Sequence, residues 1–463
     1  MILGKDSKDG LKIIIVGAGK VGSILVEQLA KEGHEITIVD KNPSQIEPLT
    51  NTFDAMGVVG NGASYSVLAE AGVDKADLII AVTGSDELNL LCSIVARRAG
   101  GKCAAIARVR TPDYGKEADY FCEMLGLAMI INPDFEAAKL IARSLSIPTA
   151  FEVSSFAHGK VDMVRVKVPE GSALCDSTIA SLGKNGLTEK VVISAIVRDG
   201  EVSIPSGSST IKAGDDIAFA AAPKEIRSFL RKIGLKSSQV KTSLIVGGGR
   251  AGYYLGKQLL KAGIAVKIIE ENEERCNELS VLLPDAIIIH GDGTSEDLLK
   301  EEGLETVDAF IPMVGIDEEN VLAALHAKQV SKAKVITRVR RNNYNQVVKG
   351  LDLGSVLYPK YITSEAIIAY VRAKKNSMNC DIETLYHMFD SKAEAIEFKI
   401  ESAPGVVDIP LSQLKLKDNL LIAFINRKGK AIIPKGQDCI MNGDTVMIVT
   451  THTGFHDIQD ILA

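Results

Sequence analysis

Residues 11–40 read LKIIIVGAGKVGSILVEQLAKEGHEITIVD. The short apolar run Ile13 to Val16 has the length and β-branched content of a buried strand. It breaks into Gly17-Ala18-Gly19-Lys20-Val21-Gly22, after which Val21, Ile24, Leu25 and Leu29 recur at helical spacing. A second strand, Glu35 to Val39, ends on Asp40. Strand, glycine turn, helix, strand and acid, in that order, form the dinucleotide-binding fingerprint. Gly17 permits the tight turn, Gly19 lets backbone approach a pyrophosphate, and Gly22 lets helix and strand pack closely. Unpaired N–H groups at the helix start, at the positive end of its dipole, hold phosphates. Asp40 can accept hydrogen bonds from both ribose hydroxyls, and its charge disfavours a 2′-phosphate. NAD(H) or an adenosine nucleotide therefore fits better than NADP.

One such motif can also be a glycine-rich turn that binds nothing, but this chain carries it twice. Ser243-Leu244-Ile245-Val246 leads into Gly247-Gly248-Gly249-Arg250-Ala251-Gly252, a helix, and a strand Ala265 to Ile269 ending on Glu270. Gly17 to Gly247 and Asp40 to Glu270 are both 230 positions apart. That common offset marks a tandem duplication.

The first half continues in a strand–helix rhythm. Asn42 caps a helix with Pro43 in its first turn. Strands are expected at Ala55–Val59, Asp77–Val82, Ala104–Val109 and Met129–Ile131, with a long helix from Pro133 to about Ser146. Alternating β and α predicts a parallel, doubly wound sheet of order 3-2-1-4-5-6, its ligand crevice between strands one and four. After Pro148 the rhythm changes to short strands at Met163–Val168, Val191–Val197, Glu201–Ile204 and Ile217–Ala220. Turns fall at Asp199-Gly200 and Gly214-Asp215, and a closing helix starts from Lys224. Lys236 to Lys241 reads as a linker. The second half repeats the series. Gly291-Asp292-Gly293 answers Gly60-Asn61-Gly62, Asp317 and Asn320 answer Asp86 and Asn89, and Thr337-Arg338-Val339-Arg340 answers Ala107-Arg108-Val109-Arg110. A β-rich tail follows from about Ala395. The expected fold class is α/β, with two doubly wound parallel-sheet Rossmann-like domains, each followed by a small α+β C-terminal domain. Boundaries fall near 11–135, 150–235, 241–360 and 385–463.

Composition agrees with several α/β domains: 463 residues, 46% hydrophobic, 24% charged and no Trp. A net charge of −6 argues against a broad nucleic-acid surface, so no nucleic-acid partner is expected. The seven cysteines form no Cys-x-x-Cys pair and suit reduced thiols in a cytosol. No apolar run reaches the roughly 18 to 20 residues of a bilayer span. The start, MILGKDSKDG, reads as a flexible lead-in rather than a signal peptide.

IIIVGAGKVG, the acid at Asp40, VVGNGAS, IIAVTGSDELN, ARVRTPDY and the tandem repeat itself resemble the TrkA family. Its members are cytosolic regulatory subunits of Trk potassium-uptake systems, built from two potassium-conductance regulator (RCK) modules. The resemblance covers Leu11 to Ala463. It implies NAD(H), and in some members ATP or ADP, bound to the nucleotide domains. Carried over by position, Gly17, Ala18, Gly19, Lys20 and Val21 hold the phosphates and Asp40 the ribose, Thr83 and Gly84 flank the ligand, and Arg108 reaches it from strand five. The matching positions are Gly247, Gly248, Gly249, Arg250, Ala251, Glu270, Val314, Gly315 and Arg338. The second copy departs from the pattern at Val314, which lacks the Thr83 hydroxyl, and at Pro312 within its strand four. The resemblance further implies a membrane-embedded Trk-type potassium channel subunit as partner, and a homo-oligomer, dimer or tetramer, forming a gating ring. It places the chain in the cytoplasm, peripheral on the inner face of the membrane.

Lys20 and Arg250 can each meet a β- or γ-phosphate, or be solvated side chains at a helix start. For Arg108 the alternative is an ion pair at the sheet edge. A Rossmann fold does not make a dehydrogenase, since hydride transfer needs a substrate site and usually a positioned acid or base. The small domains show no Cys–His or Ser–His–Asp constellation, so no catalytic or metal-binding residue is expected. His158 reads as a hairpin-turn residue, and His34 and His290 as strand-edge residues. His452 and His456, four apart, could share a helix face but lack a third ligand. The expected function is allosteric: a nucleotide-sensing gating subunit of a Trk-type potassium channel. The alternative is an NAD-dependent oxidoreductase, and a scaffold with vestigial nucleotide folds is disfavoured by the retained glycines and acids.

Overall fold

A computed structural model of the chain describes residues 10–100, 103–111, 118–235, 239–340, 350–351, 353–375, 380–389 and 392–463. The lead-in before Gly10, Pro112-Asp113-Tyr114 of the ARVRTPDY stretch and Lys236–Ser238 of the linker lie outside the described residues. These residues fall into two compact units. One ends at Ala137 and takes in Tyr358–Ile368; the other comprises Ala138–Leu357 and Ala369–Ala463.

The first nucleotide domain runs β1 (Lys12–Val16), α1 (Lys20–Lys31), β2 (Glu35–Asp40), α2 (Pro43–Thr52), β3 (Ala55–Val59), α3 (Tyr65–Glu70), β4 (Leu78–Ala81), α4 (Asp86–Gly100), β5 (Ala104–Arg108), α5 (Ala118–Leu125) and β6 (Met129–Ile131). Helix α6 (Pro133–Ser146) follows. The parallel sheet has the order β3-β2-β1-β4-β5-β6, as the rhythm predicts. Ile13, Ile14, Ile15 and Val16 are all buried, since a central parallel strand is covered on both faces. The Asn42 side chain accepts the Ser44 N–H at 3.1 Å, and Pro43 opens α2.

The first small domain is β7 (Glu152–Phe156), β8 (Val161–Lys167), α7 (Ile179–Lys184), β9 (Val191–Arg198), β10 (Glu201–Ser203), β11 (Asp216–Ala221) and α8 (Pro223–Lys232). Its antiparallel sheet is ordered β10-β9-β11-β8-β7, and the Asp199-Gly200 turn has positive φ at both residues. Strand β7 goes beyond the pattern read from sequence. It pairs with β8 from Glu152↔Arg165 to Phe156↔Val161.

The second nucleotide domain repeats the first as β12 (Thr242–Val246), α9 (Arg250–Lys261), β13 (Ala265–Glu270), α10 (Glu273–Leu282), β14 (Ile287–His290), α11 (Glu296–Glu301), β15 (Ala309–Pro312), α12 (Asp317–Val330), β16 (Lys334–Arg338) and β17 (Ser355–Leu357), ordered β14-β13-β12-β15-β16-β17. After α13 (Pro359–Lys375) come β18 (Cys380–Met388), β19 (Ala393–Ile400), β20 (Leu420–Arg427), β21 (Lys430–Ile432) and β22 (Thr445–Thr450), ordered β18-β19-β22-β20-β21. Strand β18 is the counterpart of β7; it begins at Cys380, ahead of the boundary expected near 385, whereas β7 lies within the expected 150–235.

The two small domains share a core. Phe156, Met163 and Ala218 of the first pack with Phe389, Phe424 and Met447 of the second. Glu397, 2% exposed, accepts the Ala157 N–H at 2.6 Å across this contact and the Thr384 hydroxyl at 2.9 Å. Each small domain also sets an acid of its second strand against an arginine of the preceding helix, α6 or α13. In the second, Arg372 meets Glu394 at 3.2 Å with side chains 3% and 1% exposed, and His387, the cross-strand neighbour, lies 3.3 Å from Glu394. In the first, Arg143 and Asp162 are 4.0 Å apart with side chains 32% and 9% exposed, and Ser155 is the cross-strand neighbour. Burial opposes ionisation at both acids. At Glu394 the hydrogen bond from His387 and the Arg372 charge overcome it and lower the pKa. At Asp162 burial wins over Arg143 and Ser155, and the pKa rises.

Candidate nucleotide-binding crevices

At the carboxyl ends of β1, β2 and β4 the first nucleotide domain opens a cleft of about 480 Å³. Gly17, Gly19, Lys20, Val21, Asp40, Thr83, Gly84 and Arg108 all line it. The turn after β1 is built tightly. Gly17 has φ of 106°, and a Cβ there would lie 3.0 Å from the Thr83 nitrogen. A Cβ at Gly22 would lie 1.9 Å from the Gly17 carbonyl oxygen, so α1 packs against the turn only because residue 22 has no side chain. Gly19 has nothing within 4 Å of the corresponding point, so the space above it is open. Gly19 caps α1 without a side-chain bond, and the first-turn amides Lys20, Val21 and Gly22 have no carbonyl one turn back.

Asp40 holds this turn together. One carboxylate oxygen accepts the Ala18 N–H at 2.7 Å and the other the Asn42 N–H at 2.9 Å. The parallel register Val16↔Val39 brings the end of β2 beside the turn that follows β1. Ala18 therefore departs from the phosphate role expected of it: its N–H is committed to Asp40, and its side chain is 3% exposed. Asp40 keeps lone pairs for a ribose, but its first task is to shape the loop.

The opposite wall is the turn after β4. The Arg108 guanidinium, from the last residue of β5, donates to the Thr83 carbonyl, and the Arg110 guanidinium donates to the Gly84 carbonyl. Asp86, at the start of α4, accepts from the Arg110 amide at 2.9 Å, the Thr111 amide at 2.8 Å and the Thr111 hydroxyl at 2.7 Å. Burial works against its charge, yet these bonds and the Arg110 cation hold its pKa below the ordinary value. Sequence reading registered Asp86 and Asn89 only as marks of the repeat. Their bonds to the ends of other strands form in the folded sheet, and the only sequence signal is their recurrence as Asp317 and Asn320.

The second crevice has the same frame. Gly247 has φ of 105°, a Cβ at Gly252 would lie 2.2 Å from the Gly247 oxygen, and the point above Gly249 is open. Glu270 accepts the Gly248 N–H at 2.7 Å and the Asn272 N–H at 3.0 Å, so Gly248, like Ala18, spends its amide on the acid. Arg250 opens α9 and Ala251 is buried in its first turn. Val314 and Gly315 form the turn after β15, and Arg338 ends β16. Pro312 is accommodated because Met313 carries the ladder bond to the Val246 oxygen at 2.8 Å, as Val82 does to Val16 at 2.8 Å. On its other side Pro312 offers no N–H, and β15–β16 pairs at Ala309 and Phe310 alone, whereas β4–β5 pairs from Leu78 to Ala81. Arg275, where the first copy has Gln45, donates to the Gly248 carbonyl at 2.8 Å and meets Glu278 at 2.7 Å.

His34, His290 and His452 take structural places. His34 is not at an exposed strand edge: it is 4% exposed and its Nδ1 accepts the Leu11 N–H at 3.0 Å. His290 does end the edge strand β14 and lies 3.0 Å from the Glu271 oxygen. His452 and His456 share no helix, because the chain there is irregular. His452 lies 2.8 Å from the Asp418 oxygen and stacks on Phe455. Residue 158 falls in a short 3₁₀ turn between β7 and β8. Among the described residues no group of three His, Cys, Asp or Glu side chains is placed to hold a metal, and no helix is long and apolar enough to cross a membrane.

Comparison with known proteins agrees with this architecture. Residues 13–133 and 243–359 match the TrkA-N domain, and residues 163–234 and 395–463 match the TrkA-C domain. The chain is 33% identical over 443 residues to the Trk system potassium uptake protein TrkA of Vibrio alginolyticus, covering 95% of each. It is 32% identical over 451 residues to a TrkA homolog of Archaeoglobus fulgidus, covering 97% of this chain and 100% of the relative. Among solved structures, the GsuK channel bound to NAD superposes with a TM-score of 0.61 at 17% identity, over 96% of this chain and 77% of that one. The isolated GsuK RCK domain gives 0.61 at 16% identity, over 96% and 93%. At that identity the likeness is one of fold.

Proposed function

The chain belongs to the TrkA family of potassium uptake proteins, and from that premise we propose that it is a nucleotide-sensing regulatory subunit that gates a membrane potassium channel. The observation that carries the nucleotide part is the cleft beside Gly19. It has open space over the turn, first-turn amides without carbonyl partners, Lys20, Lys41 and Arg108 on its walls and Asp40 at its ribose end. These donors suit the phosphates and ribose of NAD(H), ATP or ADP. The solved relatives of this fold include a channel with NAD bound and one bound to ADP, which supports the ligand class. In this reading Gly17, Gly19, Lys20 and Val21 face the phosphates, Asp40 the ribose, and Thr83, Gly84 and Arg108 the opposite side. Gly247, Gly249, Arg250, Ala251, Glu270, Val314, Gly315 and Arg338 hold the matching places.

The role is allosteric rather than catalytic. Binding moves a gate only by the difference in its free energy between two states, typically about 1–3 kcal/mol per site. Several sites acting together make a sharp switch, which favours an oligomeric ring of such chains on the cytoplasmic face of the channel. The deciding experiment is a thermal-shift series on the full chain with NADH, NAD, ATP, ADP and NADP. A ligand that prefers the native state raises the melting temperature, and NADP is expected to raise it least. No shift with any of them overturns the reading. Purification from native membranes without any potassium-transport protein would overturn the partner.

A further inference from the structure

We propose that Asn89, in the first turn of α4, is the positioning residue that fixes to each other the two strand ends forming the wall opposite the glycine turn in the first crevice, with Asn320 as its counterpart in the second. The inference rests on the nucleotide reading above and adds to it a residue that touches no ligand itself.

Asn89 is fully buried. Its Oδ1 accepts the Thr83 N–H at 2.8 Å and the Thr83 hydroxyl at 2.7 Å, while its Nδ2 donates to the Arg108 carbonyl at 2.8 Å and the Thr83 carbonyl at 3.4 Å. Backbone donors and acceptors therefore fix which end of the amide is oxygen. Thr83 and Arg108 lie on neighbouring strand ends, and one side chain bridges them. No other short side chain could do this. Asp would set a carboxylate against two carbonyls, and an apolar residue would leave the same backbone groups buried without partners.

The second module separates the clasp from the residue it holds. Asn320 accepts the Val314 N–H at 2.9 Å and donates to the Val314 and Arg338 carbonyls, each at 3.1 Å. Thr has become Val at the clasped position, yet every backbone bond persists. The conserved demand is the spacing between the turn and the arginine strand, not the hydroxyl. Because Arg108 also donates to the Thr83 carbonyl, a shift of either strand end is felt at Asn89 and hence at the start of α4.

The test is calorimetric titration of the full chain with ADP and with NADH. Asn89→Ala is expected to weaken binding by about 10-fold or more. Asn320→Ala removes the same kind of clasp from the other module. It should lower the melting temperature comparably while leaving first-crevice affinity within about two-fold. Arg108→Ala combined with Asn89→Ala should lose less affinity than the two single losses together, since Asn89 acts through Arg108. Should Asn89→Ala not fold, Asn89→Asp, which keeps shape and acceptor but loses both donated bonds, carries the same cycle. Wild-type affinity in the Asn89 variants, or full additivity with Arg108→Ala, overturns the assignment. If the wild-type chain takes up neither ligand, the nucleotide reading falls and this inference with it.

Discussion

The two crevices share a backbone and differ in their electric field. Around the first stand Lys20, Lys41 and Arg108 with one acid, Asp40. At the corresponding places the second has Arg250, Glu271, Arg338 and Glu270, and Glu319 replaces Leu88. In addition Arg275 ties down the Gly248 carbonyl, where Gln45 stands in the first copy. Duplication has kept what the chain needs to fold the turn, the glycines and the acid that receives an amide. It has let drift what a polyphosphate would feel. Glycine turns alone therefore do not make two equal sites, and the first crevice is the stronger candidate for an anionic nucleotide.

The largest expected contrast between the modules lies in the small domains. Glu394→Gln removes the buried carboxylate shared by Arg372 and His387 and should cost about 3–5 kcal/mol, read by denaturant unfolding. Asp162→Asn, at the more exposed pair, should change stability by less than about 1 kcal/mol. The two acids also respond oppositely to pH. Glu394 has a folded pKa below its unfolded value, so its contribution is present above about pH 4.3 and is lost as pH falls through the folded value. Asp162 has a raised folded pKa, so its contribution is full below about pH 3.9 and fades as pH rises through the folded value. Equal losses from both substitutions at neutral pH would erase this distinction.

Next in size, Asp40→Ala should weaken NADH binding on the order of 10- to 100-fold, because it removes ribose acceptors and releases the Ala18 amide. Glu270→Ala should leave that affinity unchanged, and calorimetry on both variants distinguishes the crevices. The smallest effect is a gain. Glu271→Lys with Glu319→Leu restores the charge pattern of the first crevice and should strengthen ADP uptake at the second about five-fold, less at high salt. A double variant whose second crevice takes up ADP no better than before would show that Arg275, rather than charge, limits binding there.

Much of this was legible in the chain itself. The nucleotide domains announce themselves because buried parallel strands are continuous apolar runs, and glycine turns recur at one offset. Strands β7 and β18 escaped the pattern for a physical reason. Polar residues interrupt them, Glu152, Ser154 and Ser155 in β7 and Asp381, Glu383, Thr384 and His387 in β18, and Ser154 is buried where a half-buried strand would show an apolar residue. Asp40 was legible as an acid of the site, but not as the acceptor of the Ala18 amide, since that bond depends on strand register. Asn89 was invisible as a clasp, because its partner Arg108 lies 19 positions away and meets it only in the finished sheet.

The shared core of Phe156, Met163, Phe424 and Met447 joins two domains that belong to one continuous chain. Such a seam is unimolecular, so its closure does not depend on how many molecules are present, unlike the same contact between separate subunits. Dilution leaves it intact. A concentration series by analytical ultracentrifugation would therefore report on whatever other surfaces bring chains together, with this seam already closed within every monomer.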